Sequence, residues 1–208
     1  MTRARMVTPD PRELLVPGKG AVLNRTAQLV REGQREVVRL DARPGDGLAW
    51  WHSVTFEGGT IAFEVRGKNE LQRSFVGVAF HGAQEGDELS YEAVYFRPFN
   101  FLAEDPVRQR HMVQYVALPA FPWHRLREEQ PERFEQGVRP VPDPDDWFAA
   151  RVEVAERAVR VYVAGSEAPS LVVERLHTRR SGRVGYFVGN ESGGDFAGLT
   201  LTLSTPSA

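Results

Sequence analysis

The chain is 208 residues long, 41% hydrophobic and 26% charged, with 19 glycines, 14 prolines and no cysteine. The lack of cysteine excludes a disulfide framework, zinc–thiolate and iron–sulfur centres, and thiol catalysis. The 26 basic residues against 28 acidic ones give a formal charge of −2, which offers no basic footprint for nucleic acid and no polybasic patch for a membrane surface.

No apolar run approaches the ~18 residues of a membrane helix. Residues 1–23 carry Arg3 and Arg5 but no apolar stretch ahead of Pro9, Pro11 and Pro17, which predicts a cytoplasmic chain without a signal peptide. Residues 1–20 read as a loosely packed lead-in, and 21–208 as a single domain long enough to bury its own core. Short alternating runs bounded by turn residues then follow one another, the signature of an all-β sandwich or barrel. Strands are predicted at 35–41, 48–56, 60–66, 74–81, 91–97 and 111–117. In 60–66, Ile61, Phe63 and Val65 oppose Ala62, Glu64 and Arg66. In 74–81, Val76, Val78 and Phe80 oppose Phe75, Gly77, Ala79 and His81. In 91–97, Glu92, Val94 and Phe96 oppose Tyr91, Ala93, Tyr95 and Arg97. The segment 118–146 is broken by Pro119, Pro122, Pro131, Pro140, Pro142 and Pro144, with room for one short helical turn within 124–136. So long an irregular segment inside a compact domain is uncommon and often functional. Strands resume at 147–154, 157–163, 170–176, 182–188 and 196–203.

If the Val76–Val78–Phe80 set faces a second sheet, the opposite set lies on an outer face. That set joins Glu64, Arg66, His81, Tyr95 and Arg97 to small residues and other aromatics. An ordinary solvated face carries Thr, Lys and Glu instead. Small residues beside tyrosines leave room for a flat ligand such as a sugar; equally, segment 118–146 can cover the face as a second small core.

The stretches GTIAFEVRG (59–67), FVGVAFHG (75–82), YEAVYFRPFN (91–100), WFAARVEV (147–154), RAVRVYVAG (157–165) and above all SGRVGYFVGNESGGDFAGLTL (181–201) resemble the concanavalin A-like lectin/glucanase superfamily. Within it the similarity is greatest to bacterial laminin-G-like domains of the 3-keto-disaccharide hydrolase type. The resemblance implies a jelly-roll β-sandwich of two antiparallel sheets, with ligands on the concave face. Lectins, glycosidases and inert scaffolds share that architecture, so the site has to carry the function.

Glycoside hydrolysis takes two carboxylates flanking the scissile bond. The E-x-D-x-x-E strand motif of laminarinase-like relatives is absent. Asp87 and Glu88 fall in a turn beside Gly86. Glu64 sits mid-strand and, if buried, requires Arg66, Arg97 or His81 as partner. The general acid/base candidates are therefore Glu64 or Glu92 with His81 or His111. Pro98 restricts Arg97 to an extended conformation at a strand end, either as a ligand for hydroxyls or as a cap for loop carbonyls. Asn100 adds an amide beside it. Gln114 opposes His111 and Tyr115 across one strand. Trp123 is either a sugar-stacking platform or an anchor for the irregular segment, while Trp50, Trp51 and Trp147 read as packing residues.

The five histidines show no metal-binding spacing, so no metal site is predicted. Asp143, Asp145 and Asp146 suggest a turn, with structural calcium as the alternative and no other cofactor. The leading expectation is a lectin-like domain holding a sugar or polyol through Arg97, Tyr95, Asn100, Gln114 and Trp123. A sugar-acting hydrolase or lyase and a non-catalytic interaction sandwich are the alternatives.

Overall fold

The predicted runs are found as strands in a computed structural model, which describes residues 5–203. In chain order the elements are β1 (Arg5–Val7), β2 (Gly20–Leu23), β3 (Ala27–Glu32), β4 (Arg35–Leu40), β5 (Gly47–Phe56), β6 (Gly59–Arg66), β7 (Val76–Glu85), β8 (Glu88–Phe96), α1 (Pro106–Gln109), β9 (Val113–Leu118), α2 (Trp123–Glu129), β10 (Glu135–Gln136), β11 (Phe148–Val154), β12 (Ala158–Val163), β13 (Leu171–Glu174), β14 (Gly182–Val188) and β15 (Gly194–Leu203). Among the described residues they form two antiparallel sheets. One runs β13-β12-β11-β6-β15-β4-β3, with β1 also on β15; the other runs β10-β9-β8-β7-β14-β5-β2.

The alternation decides what lies between the sheets. Val78 pairs with Val94 and Val76 with Phe96, so these side chains share the inner face of the seven-stranded sheet. Phe63 pairs with Ala150 and Val65 with Phe148, on the inner face of the other. Rings join the layers: Phe96 meets Phe148 edge-on at 5.2 Å, and Tyr186 stacks on Phe196 at 4.5 Å. Burying such large rings removes much apolar surface from water and is the main source of stability in a sandwich.

Residues 5–20, expected as a loose lead-in, are tied down. Arg5–Val7 pairs with Thr202 and its neighbours, Leu14 is buried in the core, and the Trp51 indole donates to the Asp10 carbonyl. The irregular segment is also anchored: Leu126, Phe134 and Val138 enter the core. Asp87 and Glu88 are exposed at the β7–β8 turn, where Gly86 adopts φ +63°.

Two glycines allow close approach between neighbouring strands. A Cβ on Gly185 of β14 would collide with the Ala49 carbonyl and with Trp50 on β5; one on Gly77 of β7 would collide with the Val94 carbonyl on β8. Backbone atoms cannot yield as a flexible side chain can. Gly185→Ala is therefore expected to lower stability by about 1–3 kcal/mol, read as a drop in thermal unfolding temperature.

Candidate functional site

The outer face of the seven-stranded sheet is assembled by register. Phe187 pairs with Gly77, Gly77 with Tyr95, and Tyr95 with Gln114. Gly185 pairs with Ala79, and Ala79 with Ala93. Glycine and alanine keep this part of the sheet low, and Tyr95, Phe187 and Phe75 stand around it. Their rings are in contact, Tyr95 with Phe187 at 5.4 Å and Phe75 with Tyr95 at 5.9 Å.

Above these rings lies a cavity of about 450 Å³. Its walls are Tyr95, Phe187 and Val116 from the sheet, Phe75 just before β7, Trp123, His124 and Arg127 from α2, Arg97 beyond β8, Asp46 before β5, and Asn190 after β14. The proline-broken segment thus rims the site. Trp123 is 47% exposed, with Arg127 packed against its ring at 5.0 Å. That exposure identifies Trp123 as an accessible flat surface in the cavity rather than an anchor in the core. The size falls within the range usual for small-molecule sites, which combine apolar walls with a few directed polar groups.

Arg97 is the most constrained of these polar groups, at 4% exposure. Its Nη1 donates to the His111 carbonyl at 3.1 Å and to Glu135 at 3.3 Å; its Nη2 donates to Tyr95 Oη at 3.3 Å and to Gln114 Oε1 at 3.0 Å. Gln114 is held in turn by donating to the Tyr115 and Phe134 carbonyls. Arg127 grips the Glu135 carboxylate with Nε at 2.7 Å and Nη2 at 2.6 Å, and this pairing raises the arginine's pKa further. Burial lowers the pKa of His111, whose ring lies 3.3 Å from Glu135. Asp46 receives the Tyr91 hydroxyl at 3.4 Å. The residue is exposed, and partial desolvation raises its pKa despite Tyr91 and nearby Arg25. Arg25 fixes the rim by donating to the Gly45 and Gly189 carbonyls.

The predicted site residues thus divide. Arg97, Tyr95 and Trp123 line the cavity, with Gln114 directly behind Arg97. Asn100 lies outside it, donating to the His111 carbonyl and accepting from Arg108 Nε at 2.9 Å. Of the four acid/base candidates, His81 and Glu92 are brought together, but none of the four lines the cavity. Glu64 is on the outer face of the eight-stranded sheet, held bidentately by Arg35 at 2.8 and 3.1 Å. Arg66 lies on that same face, bonded to Asp195 and Glu32, so the expectation that both share a face with Tyr95 is corrected. His81 and Glu92 point between the sheets, each 0% exposed. His81 departs from the alternation because a bulge between Phe80 and Ala83 gives it φ +52° and turns its ring inward. It stacks on Phe56 at 5.6 Å, and its Nδ1 lies 2.7 Å from Glu92. The same Nδ1 lies 2.9 Å from Arg175 Nη2, and Nε2 lies 3.3 Å from the Glu57 carbonyl. His111 precedes β9 instead of lying in it, and contacts Glu135 behind the cavity.

Sequence reasoning missed Asp46, Arg127 and Asn190 as lining residues. Their visible signals were the PGDG and GNESGG turns and a helical pattern short enough to read as loop. Further hollows lie by the eight-stranded sheet, two of them larger than the cavity above Tyr95. The larger, about 860 Å³, contains no aromatic ring, and its Arg39, Arg66 and Asp195 pair with one another. The other, about 570 Å³, contains the paired Arg35 and Glu64. Among the described residues no three His, Asp or Glu side chains gather to hold a metal.

Two antiparallel sheets in this arrangement, together with the solved structures they resemble, fit a concanavalin A-like lectin/glucanase fold. Comparison with solved structures places particular proteins beside it. The carbohydrate binding module CBM66 from Bacillus subtilis matches with a TM-score of 0.59 at 13% identity, over 88% of this chain and 95% of that one. A Bacillus subtilis protein of unknown function with a galectin-like fold matches at 0.59 and 12%, over 93% and 92%. The exoplasmic/lumenal domain of VIP36, in its Ca2+/Man3GlcNAc-bound form, matches at 0.54 and 12%, over 91% and 86%. These likenesses concern the fold. No protein-family model and no curated protein sequence matches the chain.

Proposed function

We propose that the protein binds a carbohydrate or related polyol in the cavity above Tyr95 and Phe187, with Trp123 as the stacking surface. The observation that carries this reading is one hollow joining an exposed indole and two sheet-borne rings to Asp46, Arg97 and Asn190. Aromatic faces cover the C–H patches of a sugar, while carboxylate, guanidinium and amide groups bond its hydroxyls. The carbohydrate binding module and the Man3GlcNAc-bound VIP36 domain among the structural neighbours support it. Trp123→Ala is expected to weaken binding of the best ligand from a glycan array about tenfold or more, measured by calorimetry. Stability should stay within about 0.5 kcal/mol, because a half-exposed ring contributes little to the core. Unchanged affinity would remove Trp123 from the site; no response to any sugar would favour a non-catalytic interaction sandwich.

A sugar-acting hydrolase or lyase of the 3-keto-disaccharide hydrolase type is the second reading, favoured by Asp46 and His124 lining one cavity. Asp46 would serve as the acid/base, in place of Glu64 and Glu92. Because Asp46 is the single carboxylate among the described lining residues, the two-carboxylate mechanism of ordinary glycosidases lacks its second member. Turnover of a disaccharide abolished by Asp46→Asn would move this reading ahead of simple binding.

A further inference from the structure

We propose that the cavity selects a sugar bearing one carboxylate, a uronic acid, over its neutral counterpart; this rests on the sugar-binding reading above. The reason lies in the pairing of charges along one wall. Arg97 and Arg127 both line the cavity, and both are bonded to a single carboxylate, Glu135. Glu135 is fully engaged. Its Oε1 faces Arg127 Nε and His111, and its Oε2 faces Arg127 Nη2 and Arg97 Nη1. Within this cluster two guanidinium groups stand against one carboxylate, a local formal +1, with Asp46 as a separate negative charge elsewhere on the cavity lining.

That surplus is also geometrically available. Arg97 Nε and Arg127 Nη1 have no partner among the described residues. Asp46, the cavity's own carboxylate, forms an ion pair with neither arginine. A guanidinium with free N–H groups favours an anion, and a planar carboxylate matches the guanidinium fork. Asp46 and Asn190 remain for the hydroxyls, and Asp46 disfavours the reverse orientation by repelling a carboxylate placed beside it.

The test compares methyl glycosides of glucose, galactose and mannose with the corresponding methyl uronides, by calorimetry on the full chain. At least one uronide is expected to bind about tenfold more tightly than its neutral partner, the usual scale of one added charge-assisted hydrogen bond. Raising salt should reduce that preference, since it rests on charge. Arg127→Gln should erase the preference, Arg127→Lys should keep most of it, and Trp123→Ala should weaken both series equally. Equal or tighter binding of the neutral glycosides overturns the selectivity and leaves the sugar-binding reading standing. Absence of binding in both series, at concentrations where other glycans are also silent, overturns both.

Discussion

Replacing Glu92 with alanine is expected to destabilise the fold by about 3–5 kcal/mol, the cost of removing one partner from a buried ion pair. Four side chains converge at this end of the sandwich. Arg175, just beyond β13, donates to Glu92 through Nε at 3.0 Å and Nη2 at 2.6 Å. Tyr115 donates its hydroxyl at 2.7 Å and accepts from the Leu176 amide at 3.1 Å, and His81 completes the set. Arg175 directly follows a strand of one sheet and the other three residues lie in the opposite one, so this cluster ties the layers together. Without the carboxylate, a fully buried guanidinium is left unbalanced.

The same site predicts a pH effect. Burial pushes the Glu92 carboxyl upward, but the bonds from His81, Arg175 and Tyr115 outweigh it and hold the group below its ordinary value. A lowered acid contributes stability above its unfolded pKa of about 4.3 and loses it as pH falls through the folded value. Urea unfolding of wild type and Glu92→Gln between pH 7 and pH 3 should show the difference between them shrinking in acid. A constant gap across that range would mean that the ionised carboxylate is not what stabilises the cluster.

Arg97→Ala is expected to cost about 3 kcal/mol and to abolish ligand binding together. The guanidinium holds the His111 carbonyl, Glu135, Tyr95 and Gln114 at once, and its loss unpairs buried acceptors. The cost is smaller than at Glu92 because Arg127 still neutralises Glu135. Arg97→Lys should recover part of the stability through its charge but little of the binding, since an ammonium cannot reproduce the fork. Loss of stability with unchanged binding would assign Arg97 a purely structural role. The contrast with Trp123→Ala, which should lose binding alone, separates the floor of the cavity from its accessible wall.

Much of the sandwich was legible. Eleven of the strands sit within a few residues of the alternating runs, because a sheet buried on one face imposes period two on its side chains. Edge pieces were not legible. β3 is half exposed, and β10 pairs only two residues, so neither needed a pattern. Arg97, Tyr95 and Trp123, which line the cavity, stood out in the sequence because unusual types occupied positions where a solvated strand or loop has no use for them. His81 was misread for a local reason, a bulge that no spacing reveals. Glu64 was misplaced for a global one: alternation assigns a side chain to a face of its own strand and does not say which sheet that strand joins.

The sequence by itself determined a cysteine-free all-β sandwich with aromatic and small residues sharing one face. The tertiary structure alone decided which charges meet. Asp46, Arg97 and Arg127 come from a turn, a strand end and a short helix, and converge because the sheet brings those three elements to one hollow. Glu92, in one sheet, and Arg175, far off in sequence and directly after a strand of the other, became a buried pair for the same reason. Local patterning follows from burial of one face, but the pairing of charges depends on long-range strand order, which single-strand periodicity does not encode.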